Sequence, residues 1–306
     1  MSSNTVKIFS CSVHAELSNE VVRKIGRNLG KIEITKFADG EWKVWVDEYV
    51  NNTQSFIIHP TSPPADSNIM QLCLIADALR REGARRVCAV VPYFGYARQE
   101  RRTRAGEPVS AKVAADMLVS SGVTKVITVD LHAEAIVGFF NVPIVHLTAM
   151  NLLAARVKKE SLSNPVVVSP DVGGVRRARN FSNLLEYPIA VVEKKRSYSK
   201  RDKAEVLTMG GDVKGRSAII IDDLISTGGT IVENAKILKS SGVKKIVVCA
   251  THPVFVGNYK ENLNSGLIEK IIVTNTIPVP KNKQFKKLEI VSCAKLLSDA
   301  IISDHL

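Results

Sequence analysis

Three features of the sequence predict an α/β protein of two similar domains, each a mainly parallel sheet flanked by helices. Short β-branched runs alternate with helical stretches along most of the 306 residues. The runs are apolar without alternation, as expected of strands buried on both faces. One strand–helix–strand unit also occurs twice in the same order.

The predicted strands cover 6–10, 55–59, 86–91, 125–129, 166–169, 189–192, 217–221, 245–250 and 270–273, each an apolar run of four to six residues. Helices are expected between them at 69–82, 111–120, 231–240 and 293–302. Such alternation implies right-handed crossovers. Ligands of these sheets sit beyond the carboxyl ends of the strands, which says where to look for chemistry.

The repeat reads as two domains, with the plainer alternative that any two strand–helix–strand units look alike. Ser55–His59, a helix ending at Gly83, strand 86–91 and Pro92-Tyr93-Phe94 form one unit. Ala218–Asp222, a helix ending at Gly242, strand 245–250 and Pro253-Val254-Phe255 form its echo. Two domains are therefore expected, 1–147 and 148–306. The loops after the first strands differ: Asp222-Asp223-Leu224-Ile225-Ser226-Thr227-Gly228-Gly229-Thr230 in one copy, Pro60-Thr61-Ser62-Pro63-Pro64-Ala65-Asp66 in the other. Only the later copy keeps acids and glycines fit for a ligand.

Composition narrows the function. At 45% hydrophobic and 24% charged the chain is globular rather than disordered. No stretch approaches the ~18 apolar residues of a membrane span, and Met1–Lys7 lacks the basic-then-apolar pattern of a secretory signal. Five scattered cysteines without CxxC spacing read as reduced core thiols of a cytoplasmic protein, not as a zinc site or disulfide frame. The net charge of +12 is concentrated at 98–104 and 194–203. With only 6% aromatics and no reading helix, a polyphosphate ligand explains it better than nucleic acid or a membrane.

The richest constellation is 219–230. An apolar strand delivers two carboxylates at its end, and a hydroxyl- and glycine-rich loop opens a helix. Backbone N–H groups exposed there suit a phosphate monoester, while Asp222 and Asp223 suit sugar hydroxyls or Mg²⁺. A capped turn with Ser226 or Thr227 as N-cap is the plainer alternative. Asp130 and His132 stand two apart beyond strand 125–129, so an extended segment turns both to one face. Asp171 follows strand 166–169. Lys194–Lys203 lies between two strands and is too polar to pack, so a loop is expected. The chain has no GxxxxGK[ST], which excludes a P-loop.

Residues 222–230 resemble the phosphoribosyl-diphosphate motif of the type I phosphoribosyltransferase fold. Phe37-Ala38-Asp39-Gly40-Glu41, Pro92–Arg101, Thr128–Ala133 and Ser169–Gly174 resemble, in order, signatures of the ribose-phosphate pyrophosphokinases. The similarity spans about residues 6 to 278. It implies two phosphoribosyltransferase-like domains and diphosphoryl transfer from Mg-ATP to ribose 5-phosphate. It also implies residue roles. Phe37, Asp39, Glu41, Arg98, Gln99, Arg101 and His132 would hold ATP; Asp130, His132 and Asp171 would serve Mg²⁺; Lys194 and Arg196 would be the catalytic cations. Asp222, Asp223, Ser226, Thr227, Gly228, Gly229 and Thr230 would hold ribose 5-phosphate. A homo-oligomer, dimer to hexamer, is expected, with no nucleic acid or membrane partner. Ser226 stands where many members carry an acid. With 104–110 and the C-terminus, it implies weak or absent activation by phosphate.

Overall fold

The computed structural model describes residues 5–196 and 205–305, and the side chains of 193–196, 205–209 and 305 lie outside that description. The chain forms two compact units: Met1–Thr148 with Thr276–Pro278 and Ser292–Leu306, and Ala149–Asn275 with Val279–Val291.

In unit 1, strands β1 (Val6–Ser10), β4 (Gln54–Ile58), β5 (Arg86–Val91), β6 (Lys125–Val129) and β7 (Ile144–Leu147) form a sheet in the order β1-β4-β5-β6-β7, parallel throughout. Helices α1 (Ala15–Ile25), α2 (Ala65–Arg81) and α3 (Ser110–Ser120) provide the crossovers. Strands β2 (Ile32–Lys36) and β3 (Trp42–Val46) form a separate antiparallel hairpin. Ile32, Ile34 and Val44 on one face of the hairpin pack on the unit 1 core, which includes Leu72, Ile75 and Leu79 of α2.

In unit 2, α4 (Met150–Val157) leads into β8 (Pro165–Ser169), α5 (Val175–Leu185), β9 (Ile189–Arg196), β10 (Glu205–Gly210) and β11 (Ser217–Ile225). Helix α6 (Gly229–Ser240), β12 (Lys245–Pro253), α7 (Tyr259–Leu263), β13 (Lys270–Thr274) and β14 (Leu288–Val291) follow. The order is β10-β9-β8-β11-β12-β13-β14, with only the β9–β10 pair antiparallel. Val166, Val168, Ala218 and Ile220 pack on one face. Val167, Ile219 and Ile221 pack on the other. That is the physical meaning of an apolar run without alternation.

The repeated strand–helix–strand units are β4-α2-β5 and β11-α6-β12, each a parallel pair of adjacent strands. One expectation changes. Residues 148–306 do not all belong to the second domain, because helix α8 (Ala294–His305) belongs to unit 1. Its Asp304, almost buried, pairs with Lys125 at the start of β6 and accepts from Gln54 Nε2 of β4 at 2.9 Å. A buried carboxylate demands such partners, and here they fix the last turn of the chain to the unit 1 sheet. All five cysteines are buried and free, and among the described residues no helix is long and apolar enough to cross a membrane.

Candidate active site

Unit 2 locates its own site. Reading along the sheet, the chain order reverses between β8 and β11, and the crevice outside the carboxyl ends of two such strands is where an open α/β sheet takes a ligand. The segments leaving those strands are Pro170–Gly174 and Ser226–Gly228. Both carry predicted site residues.

Asp222 and Asp223 do not follow the strand as expected but lie within it. Strand β11 continues to Ile225 and pairs with β12 as far as Ile225 with Pro253. Asp223 is buried and Asp222 half-buried. A single nitrogen, Arg177 Nη1 from the first turn of α5, reaches Asp222 Oδ1 at 2.9 Å and Asp223 Oδ1 at 3.3 Å. Asp222 Oδ1 also accepts from the Asp223 N–H at 2.9 Å. Burial, then the charge of Asp223 and the hydrogen bond between the two, push the Asp222 carboxyl well above the usual carboxylate range, against the opposing pull of Arg177. One proton shared by two acids leaves both donor and acceptor oxygens, the complement of a sugar diol.

The loop that follows is an open cradle. Gly228, at φ +76°, is the N-cap of α6 and carries no capping side chain, so neither Ser226 nor Thr227 fills that position. A Cβ on Gly228 would sit 2.9 Å from Leu263 Cδ2, and only glycine fits there. Thr227 Oγ1 accepts from the Gly229 N–H at 3.4 Å, and Thr230 is exposed in the first turn of α6. The amides of a helix N-terminus with its dipole make an anion site. Asp171 is exposed. Its Oδ1 accepts from the Gly174 N–H at 2.7 Å. Lys194 and Arg196 lie in β9 opposite Leu207 and Glu205, so the strand extends past the expected end at 192; their side chains and residues 197–204 lie outside the description.

Unit 1 carries the other predicted residues. Phe37 is 52% exposed at the tip of the β2–β3 hairpin. There its N–H donates to Glu41 O, and Gly40 N–H, at φ +95°, donates to Phe37 O, both at 2.9 Å. Asp39 Oδ1 accepts from the Glu41 N–H at 3.1 Å. The hairpin turn and an exposed aromatic thus coexist in one segment. Arg98 and Arg101 are exposed, and Gln99 ties its carbonyl end to Ser110 Oγ. That leaves its amide nitrogen as the donor end. Gly95 in the same motif has a packing reason: a Cβ there would lie 2.4 Å from Thr61 O.

The premise for Asp130 and His132 needs correction. Asp130 has φ +38°, so 130–132 is bent rather than extended, and a shared face does not follow from spacing. Among the described residues no three His, Cys, Asp or Glu side chains cluster as a closed metal cage.

Sequence reasoning missed Arg177. The signal was there: α5 has no acid in its first turn and two arginines instead, against the helix dipole, so an anion had to be nearby. It also missed Asn262, whose Nδ2 donates to Thr227 O at 2.8 Å.

Comparison with known proteins finds relatives over nearly the whole chain. Residues 6–122 match the model of the N-terminal domain of ribose phosphate pyrophosphokinase, and 197–305 that of the phosphoribosyl synthetase-associated domain. The ribose-phosphate pyrophosphokinase of Oceanobacillus iheyensis is 40% identical over 302 residues, 99% of this chain and 95% of that one. That of Bacillus subtilis is 41% identical over 300 residues, 98% and 94% of the two chains. The crystal structure of phosphoribosylpyrophosphate synthetase from Mycobacterium smegmatis superposes with a TM-score of 0.91 at 34% identity, over 98% of both chains.

Proposed function

This chain belongs to the ribose-phosphate pyrophosphokinase family, and on that premise we infer that it transfers the β,γ-diphosphoryl group of ATP to the 1-hydroxyl of ribose 5-phosphate, giving phosphoribosyl diphosphate and AMP. The observation that carries the sugar side is the acid pair and open phosphate cradle at the switch point of unit 2.

We assign the 5-phosphate to the amides and hydroxyls of Ser226 to Thr230, and the ribose hydroxyls to Asp222 and Asp223. The assignment is supported by the uncapped helix start and by an acid pair in which the Asp222 carboxyl is held well above the usual carboxylate range. ATP is assigned to unit 1. Phe37, half exposed with Lys43 Nζ 5.9 Å from its ring centroid, offers an aromatic surface for adenine, with Asp39 and Glu41 beside it, and Arg98, Gln99, Arg101 and His132 supply donors for the triphosphate. Lys194 and Arg196 are assigned to the charge that develops on the transferring oxygens. Asp171, Asp130 and His132 would hold Mg²⁺, which when bound offsets phosphate charge. The 1-hydroxyl attacks the β-phosphorus, the bond to the α-phosphate oxygen breaks, and AMP leaves; the attacking hydroxyl's proton passes to solvent, and no side chain is required as base. A cytoplasmic setting is supported by five free, buried cysteines. Self-association is supported by an exposed groove of about 400 Å³ lined by Met70, Tyr96, Val113 and Met117.

The test is AMP release coupled to ribose 5-phosphate, comparing wild type with Lys194→Ala and Asp222→Asn. Both variants are expected to lose most activity, Asp222→Asn through the sugar's KM and Lys194→Ala through kcat. Undiminished turnover in Lys194→Ala overturns the role given to that cation.

A further inference from the structure

We propose that Asn262 is a positioning residue for sugar-phosphate binding, holding the 226–229 loop with its amides turned toward the phosphate. The inference rests on the assignment of that loop to the 5-phosphate. Three successive carbonyls of the loop are drawn to one side. Ile225 O accepts from Phe255 N–H at 3.0 Å, and Ser226 O accepts from Val256 N–H at 3.2 Å. Thr227 O accepts from Asn262 Nδ2 at 2.8 Å. In a trans peptide the C=O of one residue and the N–H of the next point in opposite directions. Fixing those three carbonyls on the β12–α7 segment therefore turns the N–H groups of Ser226, Thr227 and Gly228 to the other side.

Only the third of these bonds depends on a side chain. It acts on the peptide that joins Thr227 to Gly228, the residue whose left-handed backbone starts α6. Leu263, next to Asn262 and buried, packs on Gly228. Gly257 approaches Thr227 Cγ2 from the same segment. The loop is thus seated on α7 by contact and aimed by one amide. Without the Asn262 donor, the Thr227–Gly228 peptide is free to rotate and its N–H leaves the anion side. Asn262 touches no substrate, so its loss acts on capture of the phosphate and not on the transfer step.

The test is steady-state kinetics on Asn262→Ala and Asn262→Asp, with Asn264→Ala as the neighbouring control and Thr230→Ala as a change in the loop itself. The expected result is a rise in the KM for ribose 5-phosphate of about threefold to tenfold in Asn262→Ala, the worth of one hydrogen bond. A larger rise is expected in Asn262→Asp, which sets a carboxylate against the carbonyl. The KM for ATP, kcat and the denaturation midpoint stay near wild type, a split that a general loss of structure does not produce. Equal shifts in both KM values, or none in either Asn262 variant while Thr230→Ala raises the sugar's KM, overturn the positioning role and leave the loop assignment standing. An unchanged sugar KM in Thr230→Ala overturns the loop assignment, and the positioning role with it.

Discussion

Replacing Arg177 with Met tests whether the acid pair depends on the Arg177 guanidinium. The side chains involved are mostly out of solvent, Arg177 at 20% exposure, Asp222 at 24% and Asp223 at 5%. At 2.9 and 3.3 Å, with an effective dielectric of about 20, each contact is worth about 5–6 kcal/mol before desolvation. Because the pair shares a proton, only one of these acts at full charge. Removing one partner of a buried ion pair costs about 3–5 kcal/mol, and partial exposure here favours about 3 kcal/mol. With a urea m value of about 2 kcal/mol/M, that lowers the midpoint by roughly 1.5 M. The assay is urea denaturation followed by far-ultraviolet circular dichroism, on Arg177→Met, Asp222→Asn and the double variant. Asp222→Asn removes the second acid, so the double variant is expected to recover about 1–3 kcal/mol of the loss. A midpoint for Arg177→Met within about 0.2 M of wild type refutes the reasoning, as does strict additivity in the cycle.

Other outcomes follow from single residues. Gly228→Ala is expected to cost about 2–3 kcal/mol, more than Gly26→Ala at about 1 kcal/mol. Both have φ above +70°, but only Gly228 meets a neighbour, and equal midpoints would remove the Leu263 overlap from the account. Asp304→Ala is expected to cost about 2–4 kcal/mol by leaving Lys125 without its buried partner; hydrogen exchange should then quicken first in α8, and unchanged protection there refutes the attachment. Glu289 is lowered from 4.5 to about 2, first by its hydrogen bond from Arg156, then by Lys270. Its folded pKa lies below its unfolded one, so its stabilisation is complete above about pH 4.5 and is lost as pH falls toward 2. Glu289→Gln should therefore flatten the acid limb of the stability profile, and an unchanged slope between those pH values counts against the ion pair.

How much was legible depended on burial. Strands β1, β5 and β6 coincide with their expected limits because Val6–Ser10, Arg86–Val91 and Lys125–Val129 are largely apolar runs with most of their residues buried. The hairpin strands β2 and β3 escaped notice because Ile32–Lys36 alternates polar with apolar and has only one face to bury. Asp222 and Asp223 ended the predicted strand too early. Asp is disfavoured in strands, yet the ladder with β12 carries β11 four residues further. Asp130 misled in the opposite sense, since Asp is among the residues that tolerate a left-handed backbone. Arg177 could not be placed by proximity in sequence, as it lies 45 residues before Asp222. Only the unusual cation in a helix's first turn pointed to it.

The repeat explains why only one unit carries the cradle. Among the described residues each unit has seven strands in the same chain order, the second and third forming an antiparallel pair. In unit 2 that pair, β9 and β10, continues the sheet beyond β8, so the order reverses at β8 and β11 and a crevice opens there. In unit 1 the pair leaves the sheet, β1 becomes its edge, and no reversal exists beside β4. The loop after β4 then opens on no such crevice. Its polar groups are spent internally: Thr61 Oγ1 accepts from Gly95 N–H at 2.7 Å, and Ser62 O accepts from Asn68 Nδ2 at 2.7 Å. Thr61 and Ser62 are buried, whereas Thr227 and Thr230 are exposed. The freed hairpin instead carries Phe37 at its tip, whereas the matching pair in the second copy carries Lys194 and Arg196 within β9. Topology, rather than the loss of particular residues, therefore sets which copy carries the open loop at a switch point.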